Sequence, residues 1–190
     1  MNQLAKLLAG TAILTLSASA AAEEFYPYNY GELHLGKIGT SLNSGGQDFN
    51  YTSLGGSYGY QFHENIGAEF FATFAVTKET DEFVSSSIGT TVKTSVNAFG
   101  GYMVAKTSGR FYVKGKLGLV ASQFTYSASG FESESSTDVG LSTGFAVGIQ
   151  GESVNVELMM LQLPDSDDPL FSSESYENDF VGLNLSFDFD

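Results

Sequence analysis

The feature that most limits how this chain can fold is a side-chain alternation of period two that recurs eight times. From Ile66 to Thr77, the residues Ile66, Ala68, Phe70, Ala72, Phe74 and Val76 share one parity, and Gly67, Glu69, Phe71, Thr73, Ala75 and Thr77 share the other. Successive side chains of a strand point to opposite faces, so the pattern describes a strand with two unlike faces. The same split predicts strands over roughly 28–39, 50–62, 66–78, 91–105, 110–126, 138–150, 153–163 and 179–189. Most of these have 10–14 residues, well above the usual ~5–6. The intervals between them alternate in length. His63-Glu64-Asn65, Lys106-Thr107-Ser108-Gly109 and Gly151-Glu152 suit tight turns, whereas 40–49, 79–90, 127–137 and 164–178 are long, acidic and Ser-rich. Long strands joined by short and long connections in strict turn predict an all-β, eight-stranded antiparallel up-and-down barrel with its long loops at one rim. Closure removes the free edges that an open sheet would expose.

The location of the charges decides which face of such a barrel looks outward. Phe111, Val113, Gly115, Leu117, Leu119 and Ala121 form one face of their strand, and Val181, Leu183, Leu185, Phe187 and Phe189 one face of the last. These faces carry no charge. The opposite faces hold Gly, Ser, Thr, Asn, Gln and a few charges, as in Ser53, Gly55, Ser57 and Gly59. A soluble lipocalin-like carrier would set apolar residues inside and many Lys and Glu outside. Small residues instead suit the crowded interior of an eight-stranded barrel. The apolar face is therefore expected in lipid, and the barrel is expected to be transmembrane. There a mid-bilayer Lys or Arg would cost ~2–4 kcal/mol. Aromatics cluster at strand ends as interfacial girdles would require. Tyr28, Tyr58, Tyr60, Phe62, Tyr102, Phe111, Phe187 and Phe189 lie toward the short turns, and Phe74, Phe124 and Phe180 toward the long loops.

The N-terminus reads as an export address. Met1 to Lys6 carries one positive charge, Leu7 to Leu16 is apolar, and Ser17 to Ala22 supplies small residues in an A-x-A pattern. Residues 1–22 are expected to be a signal peptide, too short to span a bilayer, and 23–190 the barrel domain. The chain has 8 Lys and Arg against 22 Asp and Glu, a net charge of −14, which argues against nucleic-acid binding. It has no Cys, which excludes disulfides and thiolate-bound zinc.

The signal segment, the eight alternating strands, Arg110 to Val120 (RFYVKGKLGLV) after a short turn, and the closing Phe180 to Phe189 (FVGLNLSFDF) together resemble the small outer-membrane β-barrel proteins. That group includes the OmpA transmembrane domain, OmpX and the Opa-type surface antigens. The resemblance covers residues 24–189. It implies insertion into the outer membrane of a Gram-negative bacterium by the assembly machinery, which would read Leu183, Leu185, Phe187 and Phe189 as the insertion signal. Family members normally end on the aromatic; here Phe189 is followed by Asp190, and Trp is absent from the girdles. Nothing resembles a peptidoglycan-binding second domain.

The bases then find places. Lys37, Lys78 and Lys93 fall at strand ends beside the long loops, where lipopolysaccharide phosphates would lie. Lys106 and Arg110 flank the second short turn. Glu32, Glu69, Lys114 and Glu157 each sit about four residues in from the short-turn rim on the inward parity, with Lys116 just above Lys114. These five are expected to form one salt-bridge network across the lumen, since buried charges need partners. His34 shares that parity and is expected to be a lumen hydrogen-bonder. No Gly-x-Ser-x-Gly elbow is present, and Asp165, Asp167 and Asp168 lack the EF-hand spacing, so no enzyme, cofactor or metal is expected. The expected role is a monomeric structural, surface-exposed barrel contacting outer-membrane lipid and lipopolysaccharide, with acidic loops serving adhesion or envelope contacts. A narrow gated pore is the alternative, and a soluble periplasmic carrier the lesser one.

Overall fold

The computed structural model describes residues 25–42, 48–77, 79–85, 88–128, 133–167 and 175–189. Residues 1–22, Lys78 and Asp190 lie outside the described residues. Among the described residues are nine antiparallel strand segments: β1 (Tyr28–Leu42), β2 (Asp48–His63), β3 (Ile66–Ala75), β4 (Glu79–Ser85), β5 (Ile88–Lys106), β6 (Phe111–Ala128), β7 (Glu134–Ile149), β8 (Asn155–Asp167) and β9 (Ser175–Phe189). β1 pairs with β2 and β2 with β3, and from β4 to β9 each segment pairs with the next. β1 also pairs with β9, with Leu33 opposite Leu185. β3 lies along Asn97–Ala105 of β5, and β4 along Ile88–Thr94 of the same edge. β3 and β4 are thus two parts of one barrel position, and the sheet closes as an eight-stranded up-and-down barrel.

The strands run further than the alternation marks. The interval 79–90, expected as a loop, is largely the hairpin of β4 with the start of β5. β1 reaches Leu42, β6 reaches Ala128, and β7 and β9 begin at Glu134 and Ser175. The alternation fades where both faces turn polar, yet an antiparallel ladder needs only the neighbour's backbone groups. Pairing therefore continues past the apolar band. The opposite rim is tight: Gly109 adopts φ 112° in the β5–β6 turn, a conformation that glycine reaches without Cβ strain.

The apolar faces point outward. Phe70, Leu117, Val147 and Leu185 are 42–58% exposed, whereas their strand neighbours Phe71, Lys116, Ala146 and Asn184 are at most 3% exposed. On β6 the outward parity is apolar from Phe111 to Ala121, exposed as far as Leu119 and covered at Ala121. Ten steps of ~3.3 Å at a tilt of ~40° make about 25 Å of height, which matches the apolar band of outer-membrane barrels at ~25 Å.

Four girdle assignments are corrected: Tyr28 stands on the inward parity of β1 with Tyr30 and Glu32, half-buried beside the Tyr30 ring. Tyr102, Phe124 and Phe180 lie inside the barrel, at 3%, 1% and 0% exposure. Each shares the inward parity of its own strand, with Val104, Ser122 and Asn184. Position along a strand suggests a girdle, but parity determines the face. The inner face also holds more bulk than small residues would supply, including Tyr51, Phe71 and Met159. Tyr58, Tyr60, Phe62, Phe74, Phe111 and Phe189 do face outward.

A charge introduced at Leu117 tests this orientation. Leu117→Arg should lower the stability of the barrel in phospholipid vesicles by ~2–4 kcal/mol in a urea titration, because the site is mid-band and outward. An unchanged midpoint would remove Leu117 from the hydrocarbon.

Candidate functional site

The lower lumen, beside the short turns, is built by a row of inward residues repeated on two sets of three strands. Tyr30, Gly59 and Glu69 stand in register on β1, β2 and β3. Tyr112, Gly148 and Glu157 stand in register on β6, β7 and β8. In each row the tyrosine ring lies across the glycine, so that a Cβ on Gly59 would run into the Tyr30 ring and one on Gly148 into the Tyr112 ring. Each hydroxyl then donates to the carboxylate one strand further: Tyr30 Oη to Glu69 Oε2 at 3.1 Å, and Tyr112 Oη to Glu157 Oε1 at 2.7 Å. The glycines are required because only a surface without side chains lets the rings cross a strand.

The structure brings Glu32, Glu69, Lys114, Lys116 and Glu157 into one connected cluster, each at most 3% exposed. Lys114 Nζ donates to Glu32 Oε1 and lies 2.7 Å from Glu157 Oε1. Lys116 Nζ donates to Glu69 Oε1 and lies 3.5 Å from Glu32 Oε2. Asn184 Nδ2 donates to Glu157 Oε2 at 3.3 Å. Lys106, placed at the turn by its sequence position, joins the foot of this layer, with Nζ 4.1 Å from the centre of the Tyr112 ring. Three carboxylates thus surround the Lys114 and Lys116 ammonium groups, with Lys106 below them over the Tyr112 ring. Sequence reasoning does not bring Lys106, Tyr30 and Tyr112 into the layer. Their inward parity is the available signal, since each alternates in step with a lumen charge on its own or a paired strand.

His34 sits just above, 1% exposed. Its Nε2 lies 2.9 Å from Ser57 Oγ and 3.6 Å from Glu32 Oε2, and its Nδ1 has no hydrogen-bond partner. In a nucleophilic triad the acid holds Nδ1 and the serine faces Nε2. Here both partners meet the same nitrogen, so the trio packs as a lumen contact. Among the described residues no group of three or more His, Cys, Asp or Glu could hold a metal ion.

A second, apolar tier fills the lumen above the charges. Phe71 meets Tyr102 and Phe180 edge-on, with ring centres 5.8 and 6.2 Å away. Ile38, Val96, Val120, Met159, Leu161 and Leu163 pack in the same cluster. Phe124 stacks on Tyr176 at 5.1 Å and 10°. Polar ties close the top: Tyr51 and Thr94 share a 2.8 Å bond, and Asn178 accepts from Thr40 and donates to Ser166 at 2.9 Å each. Outside, Lys37 and Lys93 are exposed near the long-loop rim, and Lys78 lies outside the described residues. Leu183 and Leu185 face outward at 57% and 42% exposure, and Phe189 at 48%. Phe187 follows their parity and is partly buried.

The pairing energetics are testable by a double-mutant cycle. Lys116→Met should lower stability by ~3–5 kcal/mol, because Glu69 keeps its charge and loses its cation. Adding Glu69→Gln should recover part of that loss, read as urea midpoints in vesicles. Additive losses would show that the two groups do not interact.

Comparison with known proteins agrees with this geometry. A model of the outer membrane protein beta-barrel domain matches residues 7–189. No curated protein sequence matches. Among solved structures, a major outer membrane protein from Thermus thermophilus is 12% identical, covering 87% of this chain and 100% of that one, with a TM-score of 0.59. Neisserial surface protein A is 14% identical, covering 85% and 97%, with a TM-score of 0.58. Ail of Yersinia pestis, solved with the heparin analogue sucrose octasulfate, is 13% identical, covering 86% and 100%, with a TM-score of 0.57. At these identities the likeness is one of fold. The chain belongs to the outer membrane protein beta-barrel domain family and is an outer-membrane β-barrel protein.

Proposed function

We propose that this barrel is a closed structural element of the outer membrane that displays acidic segments at the cell surface. The observation that carries this reading is the double filling of the lumen. An ionic layer of Glu32, Glu69 and Glu157 around Lys114 and Lys116 lies below a tier of packed aromatic and aliphatic side chains. Such an interior ties the wall together from within and sets packed side chains across the lumen. Closure within the apolar band suits a monomer, and the exposed Lys37 and Lys93 suit contact with lipopolysaccharide phosphates. The outward row Leu183, Leu185, Phe187 and Phe189 suits recognition by the assembly machinery.

The surface role follows from charge. The intervals 40–49, 79–90, 127–137 and 164–178 hold eleven of the 22 acidic residues and no Lys or Arg. Ail was solved with a sulfated polyanion. The acidic segments of this chain would repel such a ligand and attract cationic surfaces, with a strength that falls as salt rises. A gated pore is the second reading. One observation favours it: Glu32 contacts both Lys114 and Lys116, so partner exchange needs little movement. The apolar tier above would still bar the path.

Three measurements test these readings. In planar bilayers, wild type and Lys114→Ala should both stay silent; discrete conductance in either would favour the pore. Intact cells carrying the protein should bind polylysine-coated beads more than heparin-coated ones, and neutralising the acids of 164–178 to Asn and Gln should abolish the difference. Protease added to whole cells should cut within the four long intervals; full protection would reverse the topology.

A further inference from the structure

The outward wall of the barrel has a depression that its own packing does not require. Along β2, β3, β5 and β6 the outward residues stand in two neighbouring rows. One row sets Tyr58, Phe70, Gly101 and Leu119 in register. The other sets Tyr60 beside Ala68, with Met103 and Leu117 beyond. Gly101 and Ala68 are diagonal neighbours, and between their bulky companions they leave a shallow cleft, open along the surface, of about 430 Å³.

Gly101 is the informative residue. A Cβ there would meet nothing closer than Glu69 O at 3.9 Å, so neither a neighbouring backbone nor the cross-strand Phe70 occupies the space. Contrast Gly59 and Gly148, which their tyrosines fill. Glycine weakens a strand interior, and here nothing within the chain gains from it. The beneficiary lies outside the chain, on a surface that faces hydrocarbon.

Charge and height indicate the occupant. Arg110 is the chain's single arginine and, among the described residues, the one exposed Lys or Arg at the short-turn rim. Lys106 turns inward over Tyr112. Leu117, in the wall of the cleft, stands seven residues along the chain from Arg110. Seven steps of ~3.3 Å at a tilt of ~40° make about 18 Å. One leaflet of hydrocarbon is about 15 Å, half of a ~30 Å core. A headgroup at Arg110 therefore places the end of its acyl chain at the cleft. The outward Ala105 and Gly115, paired across β5 and β6, keep the intervening track low.

We propose that this cleft holds an acyl chain of an anionic phospholipid from the periplasmic leaflet, with the phosphate held by Arg110. The lipid is a resident partner of the barrel rather than part of a uniform coat. Hydrocarbon is as apolar as the cleft, so the hold on the chain rests on packing contacts, and filling Gly101 or Ala68 removes them and weakens retention severalfold.

The test uses the folded barrel in detergent, stripped of lipid and titrated with phosphatidylglycerol or phosphatidylethanolamine, and read by native mass spectrometry. Wild type should retain one phosphatidylglycerol in preference to phosphatidylethanolamine. Gly101→Leu and Ala68→Leu should each weaken retention severalfold, while both still migrate as folded barrels before boiling. Arg110→Ser should abolish the preference for the anionic lipid. Leu158→Ala, on the outward face of β8, should change nothing. Equal retention by wild type and both leucine variants would overturn the proposal, as would equal weakening by Leu158→Ala. A two-barrel mass that forms in place of the lipid adduct and is lost in Gly101→Leu would assign the cleft to a second copy and overturn it too.

Discussion

In hydrocarbon no water is available to a backbone N–H or C=O, and each one left unpaired costs several kcal/mol. The rest of this structure depends on that cost. An open sheet of these strands would leave two unpaired edges in lipid. Closing β1 onto β9 pairs the whole apolar band, with Leu33 opposite Leu185 and Gly31 opposite Phe187. Closure in turn separates two environments across a wall one residue thick. Each strand must then alternate, because every second side chain meets acyl chains and the others meet one another. The core of this protein is therefore the lumen, and what would be its solvent-facing side is apolar.

The lumen has to be filled without stranding charge. Lys114 and Lys116 each meet two of the three carboxylates, and the two Tyr–Gly–Glu rows fix the outer carboxylates in place. The layer also guards register. A slip by one residue would carry Lys114 and Lys116 to the outer face, at ~2–4 kcal/mol each in mid-bilayer. Such a slip would simultaneously send Leu117 and Leu119 inward. Aliphatic filling alone would impose a weaker penalty, since Leu and Val are tolerated on both sides. The ionic tier supplies specificity and the apolar tier above it supplies buried area.

Legibility in the sequence follows the same division. The alternation marks the wall because the two environments differ so sharply; Phe70, Leu117, Val147 and Leu185 can be assigned to the outside from residue type alone. The five lumen charges can be assigned to one level because parity and distance from the short turns are both countable. Tyr102, Phe124 and Phe180 are the harder case. An aromatic near a strand end suits a girdle and a lumen equally, and only parity distinguishes them. Lys106 is hidden by its position at a turn, where parity looks irrelevant until the Tyr112 ring shows where the ammonium goes. The extension of β4 and β5 beyond the band is illegible for a different reason. In water a paired strand needs no alternation, so nothing in the residue types marks its end.

A wall that requires residue class rather than residue identity also explains the comparisons. Neisserial surface protein A shares 14% of its residues with this chain, yet the two align over 85% of this chain and 97% of the other. Almost any aliphatic or aromatic side chain serves outside, and almost any small or paired polar one serves inside. Fold therefore persists while sequence drifts, and likeness of fold says little about activity. Three features go beyond what alternation demands: the two Tyr–Gly–Glu rows, the acidic long intervals, and a glycine at position 101 whose Cβ would meet only Glu69 O, at 3.9 Å. The bilayer accounts for the alternation of the wall, and it does not account for these positions.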